Sequence, residues 1–171
     1  MKRLSVALAF IVAGTQLLIA DARPDARMLQ GLEGVEVLIS GTGNIDEARQ
    51  VGLFLSAIKT TAENHLRAHG IRVLSESEGA SSPGSPFIFI IVTCLRIPGT
   101  ENFAVFVRVS LREAVYLVRN PRQGVNPASI WEAVGVLGTT SPKALASFVV
   151  ADVQRQLDEF ANDHRRYNPR D

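Results

Sequence analysis

Two long apolar segments joined by a short polar turn constrain the fold of this chain more than any other feature. Residues 87–97 are apolar on both faces, and residues 103–119 alternate between an aliphatic face and a mixed face. The turn between them, residues 98–102, contains proline, glycine and asparagine. A period of two with turn residues at the junction indicates paired β-strands. The sequence therefore predicts a long hairpin at the centre of a sheet.

Two amphipathic helices are predicted on either side of this hairpin in the sequence. The first spans residues 45–69, with Asn44 and Glu47 as a capping box and Gly70 as the stop. The second begins after Ser141, which acts as its N-cap. An apolar stripe runs along this second helix, formed by Ala146, Val149, Val150, Val153, Leu157, Phe160 and His164. Each stripe needs an apolar surface to pack on.

Shorter segments complete the predicted order of elements, β-α-β-β-β-β-α. Strands are expected at residues 35–40, 71–74 and 129–137, and loops at residues 75–86 and 120–127. The simplest arrangement is an α+β domain. Its sheet is mostly antiparallel with four to five strands, and both helices pack on one face.

The N-terminus predicts export. Lys2 and Arg3 precede an uncharged apolar run, and Ala20 and Ala22 place small side chains where a signal peptidase cleaves. We therefore expect residues 1–22 to be a signal peptide, and the protein to be periplasmic or secreted. The alternative is an uncleaved anchor, although the run falls short of the roughly 20 residues that span a bilayer.

The remaining chain has the size and charge of one globular domain. We expect a leader at residues 23–34, a single domain at 35–165 and a polar tail at 166–171. Residues 1–22 hold two of the 18 basic and one of the 17 acidic side chains, which leaves 16 of each. This neutral balance argues against a nucleic-acid partner, since phosphate binding requires a basic excess. After cleavage we expect no contact with a membrane.

The sequence offers little catalytic chemistry. No serine lies in a Gly-x-Ser-x-Gly motif, and Asp46 stands where a dinucleotide-binding loop starting at Gly41 would need its third glycine. Cys94 has no second cysteine to pair with and lies in an apolar strand, so we expect a buried thiol. No cofactor is predicted, and we regard an enzyme as the less favoured reading.

We predict no metal site, and the three histidines are the candidates if one exists. His65 and His69 are four residues apart on the first helix, a spacing that can place two imidazoles on one ion. A third ligand is needed, and His164 on the other helix is the candidate. The alternative is that His65 and His69 are half-buried residues at the C-terminal end of a helix, where positive charge is favourable.

A second candidate surface is the sheet face that the helices leave uncovered. If they cover Val105, Val107 and Val109, the opposite face presents Phe106, Arg108, Arg112 and Tyr116. We assign Arg96, together with Ile88, Ile90, Val92 and Cys94, to one face of the neighbouring strand. Mixed aromatic and arginine side chains are typical of contact surfaces. The alternative is that the leader or the loops cover this face.

Several segments resemble uncharacterised secreted α+β proteins of environmental bacteria. They are residues 66–73, Pro86 before an apolar strand, Trp131-Glu132 and residues 160–163. The layout also resembles small envelope accessory domains, such as the lipopolysaccharide-assembly lipoprotein and the amino-terminal domain of TolB. This chain lacks the lipidated cysteine of the first and the propeller that follows the second. The motifs that carry the resemblance are structural, and it supplies no active-site residues to transfer to this chain.

We therefore expect an exported, non-enzymatic binding or accessory module of the bacterial cell envelope. Its partner would be another envelope protein or a second copy bound through the sheet face. The alternative is a metal-dependent or hydrolytic secreted enzyme that uses His65, His69 or His164.

Overall fold

Five strands form one mixed sheet. The computed structural model describes residues 24–169, so the predicted signal peptide lies outside the described residues. The strands are β1 (Glu36–Gly43), β2 (Phe87–Arg96), β3 (Phe103–Leu117), β4 (Asn120–Glu132) and β5 (Leu137–Thr140). They run in the order β1-β2-β3-β4, and β5 pairs with the same edge of β3 as β4, but with its N-terminal half. The pair β1–β2 is parallel and all other pairs are antiparallel.

The helices α1 (Ile45–Gln50), α2 (Leu55–Ala68) and α4 (Leu145–Tyr167) enclose one core on a single face of this sheet. The short helix α3 (Glu76–Ser81) lies apart from this core, with Gly79 against the side chain of Glu36. The long helices α2 and α4 contact each other, β1 and β3. The core they form with the sheet contains, among others, Ile88, Ile90, Val92, Val105, Val107, Val109, Trp131, Leu66, Val153 and Phe160. The α+β prediction, with a mostly antiparallel sheet and helices on one face, is confirmed.

The first predicted helix is two helices. After α1 the chain turns at Gly52, whose φ is +101°, and it buries Leu53 before α2 begins at Leu55. The predicted cap by the Asn44 side chain is also wrong. Its amide nitrogen donates to Glu47, and its carbonyl oxygen accepts a hydrogen bond from the backbone N–H of Arg96 at 3.0 Å. Asn44 therefore ties the end of β1 to β2.

Two further predictions need correction around the same region. Of the predicted strand at 71–74, only Val73 forms a β-bridge, with Val35. The predicted loop at 75–86 contains α3, which Ser75 caps by accepting from the Glu78 N–H while the Glu78 carboxylate accepts from the Ser75 N–H. A capping box of this kind supports a single turn of helix in spite of a Gly- and Ser-rich composition.

The predicted loop at 120–127 is part of β4. Its pairing with β3 is interrupted by register shifts, and β4 has a neighbour on one side only. Pro121 and Pro127 are compatible with such an edge strand, because it leaves one row of backbone N–H groups unpaired. The strand predicted at 129–137 is instead divided, since β4 ends at Glu132 and β5 begins at Leu137.

A buried glutamine fills the gap between β4 and β5. Along this edge of β3, the backbone N–H of Val109 donates to Gln156 Oε1 at 2.9 Å, and Gln156 Nε2 donates to the carbonyl of Val107 at 3.0 Å. Gln156 is fully buried, and its Nε2 also lies 3.1 Å from the Asp152 carboxylate. One side chain of α4 thus takes the hydrogen bonds that a continuous strand would have made.

Segments near both limits of the described residues pack on the domain. Residues Pro24–Leu29, within the expected leader, form a 3-10 helix whose Leu29 is fully buried. Asn168, within the expected tail, donates to the Leu29 carbonyl at 2.8 Å and accepts from the Gly31 N–H at 2.8 Å. Between residues 24 and 169, the helices are either too short or too polar to cross a bilayer.

Candidate functional site

The sheet face opposite α2 and α4 is a broad surface of mixed character. The strand registers place its side chains in rows across β1, β2 and β3, and Glu132 of β4 adjoins them. Most of these side chains are partly exposed, because both long helices and α1 contribute to the core on the other side. We call this surface the open face; its residues are Glu36, Leu38, Ser40, Thr42, Phe87, Phe89, Ile91, Thr93, Leu95, Ala104, Phe106, Arg108, Ser110, Arg112 and Glu132, of which Ser110 is fully buried.

Both arginines of the open face are held by their neighbours. Arg108 Nε lies 3.2 Å from the Glu132 carboxylate, and both side chains are 43% exposed. The guanidinium of Arg112 lies 4.4 Å above the centre of the Phe89 ring, a cation–π contact. The Nε atom of Arg112 is buried without a hydrogen-bond partner among the described residues. The open face thus presents fixed positive charge within an apolar surround.

The structure brings together three of the five predicted contact residues. Phe106, Arg108 and Arg112 lie on the open face. Arg96 pairs in register with the buried Phe103 and stacks on its ring at 5.3 Å, so it lies on the helix side. Tyr116 is 71% exposed and lies beyond Arg112, where β3 pairs with β4 alone.

The aromatic and aliphatic members of β2 on the open face were not singled out from the sequence. Ile88, Ile90, Val92 and Cys94 share the core face, so Phe87, Phe89 and Ile91 point the other way. Because β2 is apolar on both faces, its sequence alone does not show which set is covered. The register with β3 settles the matter, since Ile91 lies opposite Arg108.

The histidine candidates separate into a pair and a single residue. His65 Nε2 and His69 Nε2 lie 2.8 Å and 3.0 Å from the same oxygen, Oδ1 of Asp158 on α4. His164 instead lies 3.0 Å from the carbonyl of Leu32. The third candidate ligand beside His65 and His69 is therefore the carboxylate of Asp158, not the imidazole of His164. The spacing of the two histidines along α2 predicts that they lie together. The position of Asp158 beside them depends on how α2 and α4 pack, which the sequence does not show.

A polar cavity of about 500 Å³ lies where the N-terminal segment, α3 and β3 meet. Glu78 and Glu113 line it, and their pKa values shift in opposite directions. Hydrogen bonds from the Ser75 backbone, the Ser75 side chain and Arg72 lower the pKa of Glu78 to about 2, whereas burial raises the pKa of Glu113. Glu78 is also the capping residue of α3, which accounts structurally for its contacts.

Cys94 is fully buried in the core, as predicted, and burial raises the pKa of its thiol to about 11. We expect the folded protein at pH 8 to react with a disulfide reagent far more slowly than the protein in denaturant. In the folded protein the Cys94 thiol stays protonated and the reagent cannot reach it. Counting thiols with a chromogenic disulfide, with and without guanidinium, measures this difference. Equal rates in the two conditions would contradict the buried position.

Comparison with known proteins finds solved structures that resemble this chain at low sequence identity. No family model matches the chain, and no curated protein matches it. Among solved structures, a variant PelC dodecamer from Paraburkholderia phytofirmans is 16% identical with a TM-score of 0.43, and covers 75% of this chain and 88% of its own. A PelC dodecamer from the same organism is 17% identical with a TM-score of 0.42, covering 75% and 87%. The expected resemblance to small envelope accessory domains receives no support from these matches.

Proposed function

We propose that this protein is an exported, non-enzymatic module of the bacterial cell envelope that pairs with a second copy of itself through the open face. The observation that carries the proposal is the open face itself, where Phe89, Ile91 and Phe106 stay partly exposed beside ordered arginines. A contiguous surface of this kind is typical of a protein contact. The N-terminal pattern described above supports the exported location.

The charges of the open face favour a second copy as the occupant. Arg108 and Arg112 both lie on the inner strand β3, while Glu36 lies on β1 and Glu132 on β4, towards opposite edges. In an isologous pair the same patch serves both copies, so a patch must complement itself after a two-fold rotation. A patch that carries charges of both signs among apolar side chains can meet that condition. A partner whose surface carries charge of a single sign would complement only part of the open face.

The area of the open face is sufficient for a stable pair. The ten residues of β2 extend about 33 Å, and four strands span about 19 Å at the usual spacings. The projected area is therefore about 600 Å² per copy, or about 1,200 Å² in total, which lies at the lower end of specific interfaces. Two sheets stacked in this way would interdigitate like the layers of a β-sandwich.

A metal-dependent or hydrolytic exported enzyme is the second hypothesis, and the structure gives it less support. Glu78 and Glu113 in the polar cavity resemble a catalytic acid–base pair in one respect only: the pKa of Glu78 is lowered and that of Glu113 is raised. Glu78 is engaged in the capping box and in an ion pair with Arg72 at 2.6 Å. Its low pKa therefore has a structural explanation that needs no substrate.

Replacing Ile91 by glutamate is expected to abolish pairing at concentrations where the unaltered protein is dimeric. The new carboxylate lies opposite Arg108, so the monomer can accommodate it, but pairing must desolvate it in both copies. A cost of about 3 kcal/mol raises the dissociation constant by about two orders of magnitude. Light scattering across a concentration series measures the mass.

Val118→Glu is the matched control, because Val118 is 97% exposed in the turn between β3 and β4. It should leave the dissociation constant within about a factor of three, as expected for a remote surface substitution. Circular dichroism checks that both variants are folded. An unaltered protein that stays monomeric throughout the series would defeat the proposal, as would a dimeric Ile91→Glu variant.

A further inference from the structure

We propose that His65, His69 and Asp158 form a binding site for a divalent transition-metal ion, with zinc as the preferred species, at the junction of α2 and α4. This site lies in the helix layer, on the side of the sheet opposite the open face, and is independent of pairing. Asp158 stands 93 positions after His65 in the chain, and it meets the two histidines only through the packing of the two helices.

The spacing of the donor atoms suits a metal. One nitrogen from each imidazole and one oxygen of the carboxylate all lie within 4.8 Å of one another. The two nitrogen–oxygen distances, 2.8 Å and 3.0 Å, are close to the roughly 3 Å between neighbouring ligands when each lies about 2.0–2.1 Å from one ion. Small rotations of the side chains would therefore bring all three donors onto a common centre.

The orientation of the imidazoles also favours a metal. The rings of His65 and His69 are 4.8 Å apart between centroids and inclined by 50°, and both Nε2 atoms point at the same carboxylate oxygen. With an ion between them, each neutral imidazole would offer a lone pair instead of an N–H donor, and the carboxylate would supply negative charge. Within the described residues, no lysine or arginine forms an ion pair with Asp158 that would compete with the ion.

The ligand types select the metal. Two imidazole nitrogens and one carboxylate are a donor set suited to zinc and to related first-row ions, whereas magnesium and calcium prefer oxygen ligands. The side chains of His65, His69 and Asp158 are 19%, 29% and 48% exposed, so an ion has access from solvent. Three protein ligands leave a position for water, and His69 also borders a groove of about 610 Å³. Binding would link α2 to α4 and stabilise the helix layer.

Calorimetric titration of the purified protein, without a polyhistidine tag, with zinc chloride tests the proposal. We expect saturable binding at one ion per chain, and cobalt(II) should give visible absorption bands from a low-symmetry site. Each of the variants His65→Asn, His69→Asn and Asp158→Asn should weaken zinc binding by about tenfold or more, since removing even an outer partner of a metal site has an effect of this size.

His164→Asn is the matched control, because it removes the third histidine without touching the proposed ligands. Its zinc affinity should stay within about a factor of two of the unaltered protein, and zinc should raise the melting temperature of both. The proposal is overturned if no saturable binding occurs up to millimolar zinc, if Asp158→Asn binds as tightly as the unaltered protein, or if His164→Asn abolishes binding. The first of these results would show that the three side chains form a hydrogen-bonded cluster only.

Discussion

Replacing Gln156 by leucine is expected to lower the free energy of unfolding by about 3 kcal/mol. Leucine has a similar volume but cannot hydrogen-bond, so the Val109 N–H and the Val107 carbonyl would lose their partner inside the protein. An unsatisfied buried backbone group costs about 1–3 kcal/mol, and this substitution leaves two. The melting temperature should fall by roughly 6–12 °C for a domain of this size.

Gln154→Leu provides the control for this effect. Gln154 lies on the same helix and is half-buried, and its side chain forms no hydrogen bond within residues 24–169. Its replacement should change the free energy of unfolding by less than about 0.5 kcal/mol, as for a typical surface site. Chemical denaturation of both variants measures the difference. Equal stability of the two variants would mean that Gln156 does not complete the edge of β3.

Replacing Gly43 by alanine is the second change with a large expected effect, again about 3 kcal/mol. Gly43 ends β1 with a φ of +72°, and a Cβ there would lie 2.3 Å from the backbone carbonyl oxygen of Cys94. The left-handed conformation alone costs a non-glycine residue about 1 kcal/mol. The steric clash adds roughly 1–3 kcal/mol, because a backbone atom of β2 must move. The neighbouring hydrogen bond from Asn44 N to the same carbonyl, at 2.6 Å, would be lost.

Gly99→Ala separates the two causes. Gly99 has a φ of +74°, and no atom lies within 4 Å of the position of a Cβ, so only the conformational cost applies. We expect this variant to lose about 1 kcal/mol in the same denaturation experiment. If both glycine variants were destabilised equally, the close approach of β1 to β2 at Gly43 would not contribute to stability.

The sequence was most informative where periodicity was strong. The hairpin of β2 and β3 and the long helix α4 follow directly from alternation and from the apolar stripe, and the α+β class follows from them. It was least informative where tertiary contacts override local preference. Gly52 and the buried Leu53 divide the first helix, although the apolar positions on either side continue in helical phase.

The candidate sites show the same division. Phe106, Arg108 and Arg112 could be placed on one face because a period of two fixes which residues share a side of a strand. Arg96 could not be placed, since its side depends on the register with Phe103 across the hairpin. Asp158 could not be joined to His65 for a related reason, because contacts between α2 and α4 depend on the angle and offset of two helices that are far apart in the sequence.

The position of the open face within a dimer is the central claim, and a spin-label distance measurement tests it most directly. Thr93→Cys places a label in the open face, and Ala151→Cys places one on the exposed side of α4. Cys94 takes no label, because it is fully buried. Labelling of the unaltered protein under the same conditions checks that Cys94 does not react.

If the open faces pair, both labels at Thr93 lie within an interface whose two sheets are about 10 Å apart. The labels at Ala151 are then separated by the two sheets and both helix layers, at least about 40 Å in total. We predict a short distance at Thr93 and a long one at Ala151. A dimer whose Ala151 labels are the closer pair, or whose Thr93 labels show no dipolar coupling, would contradict pairing through the open face.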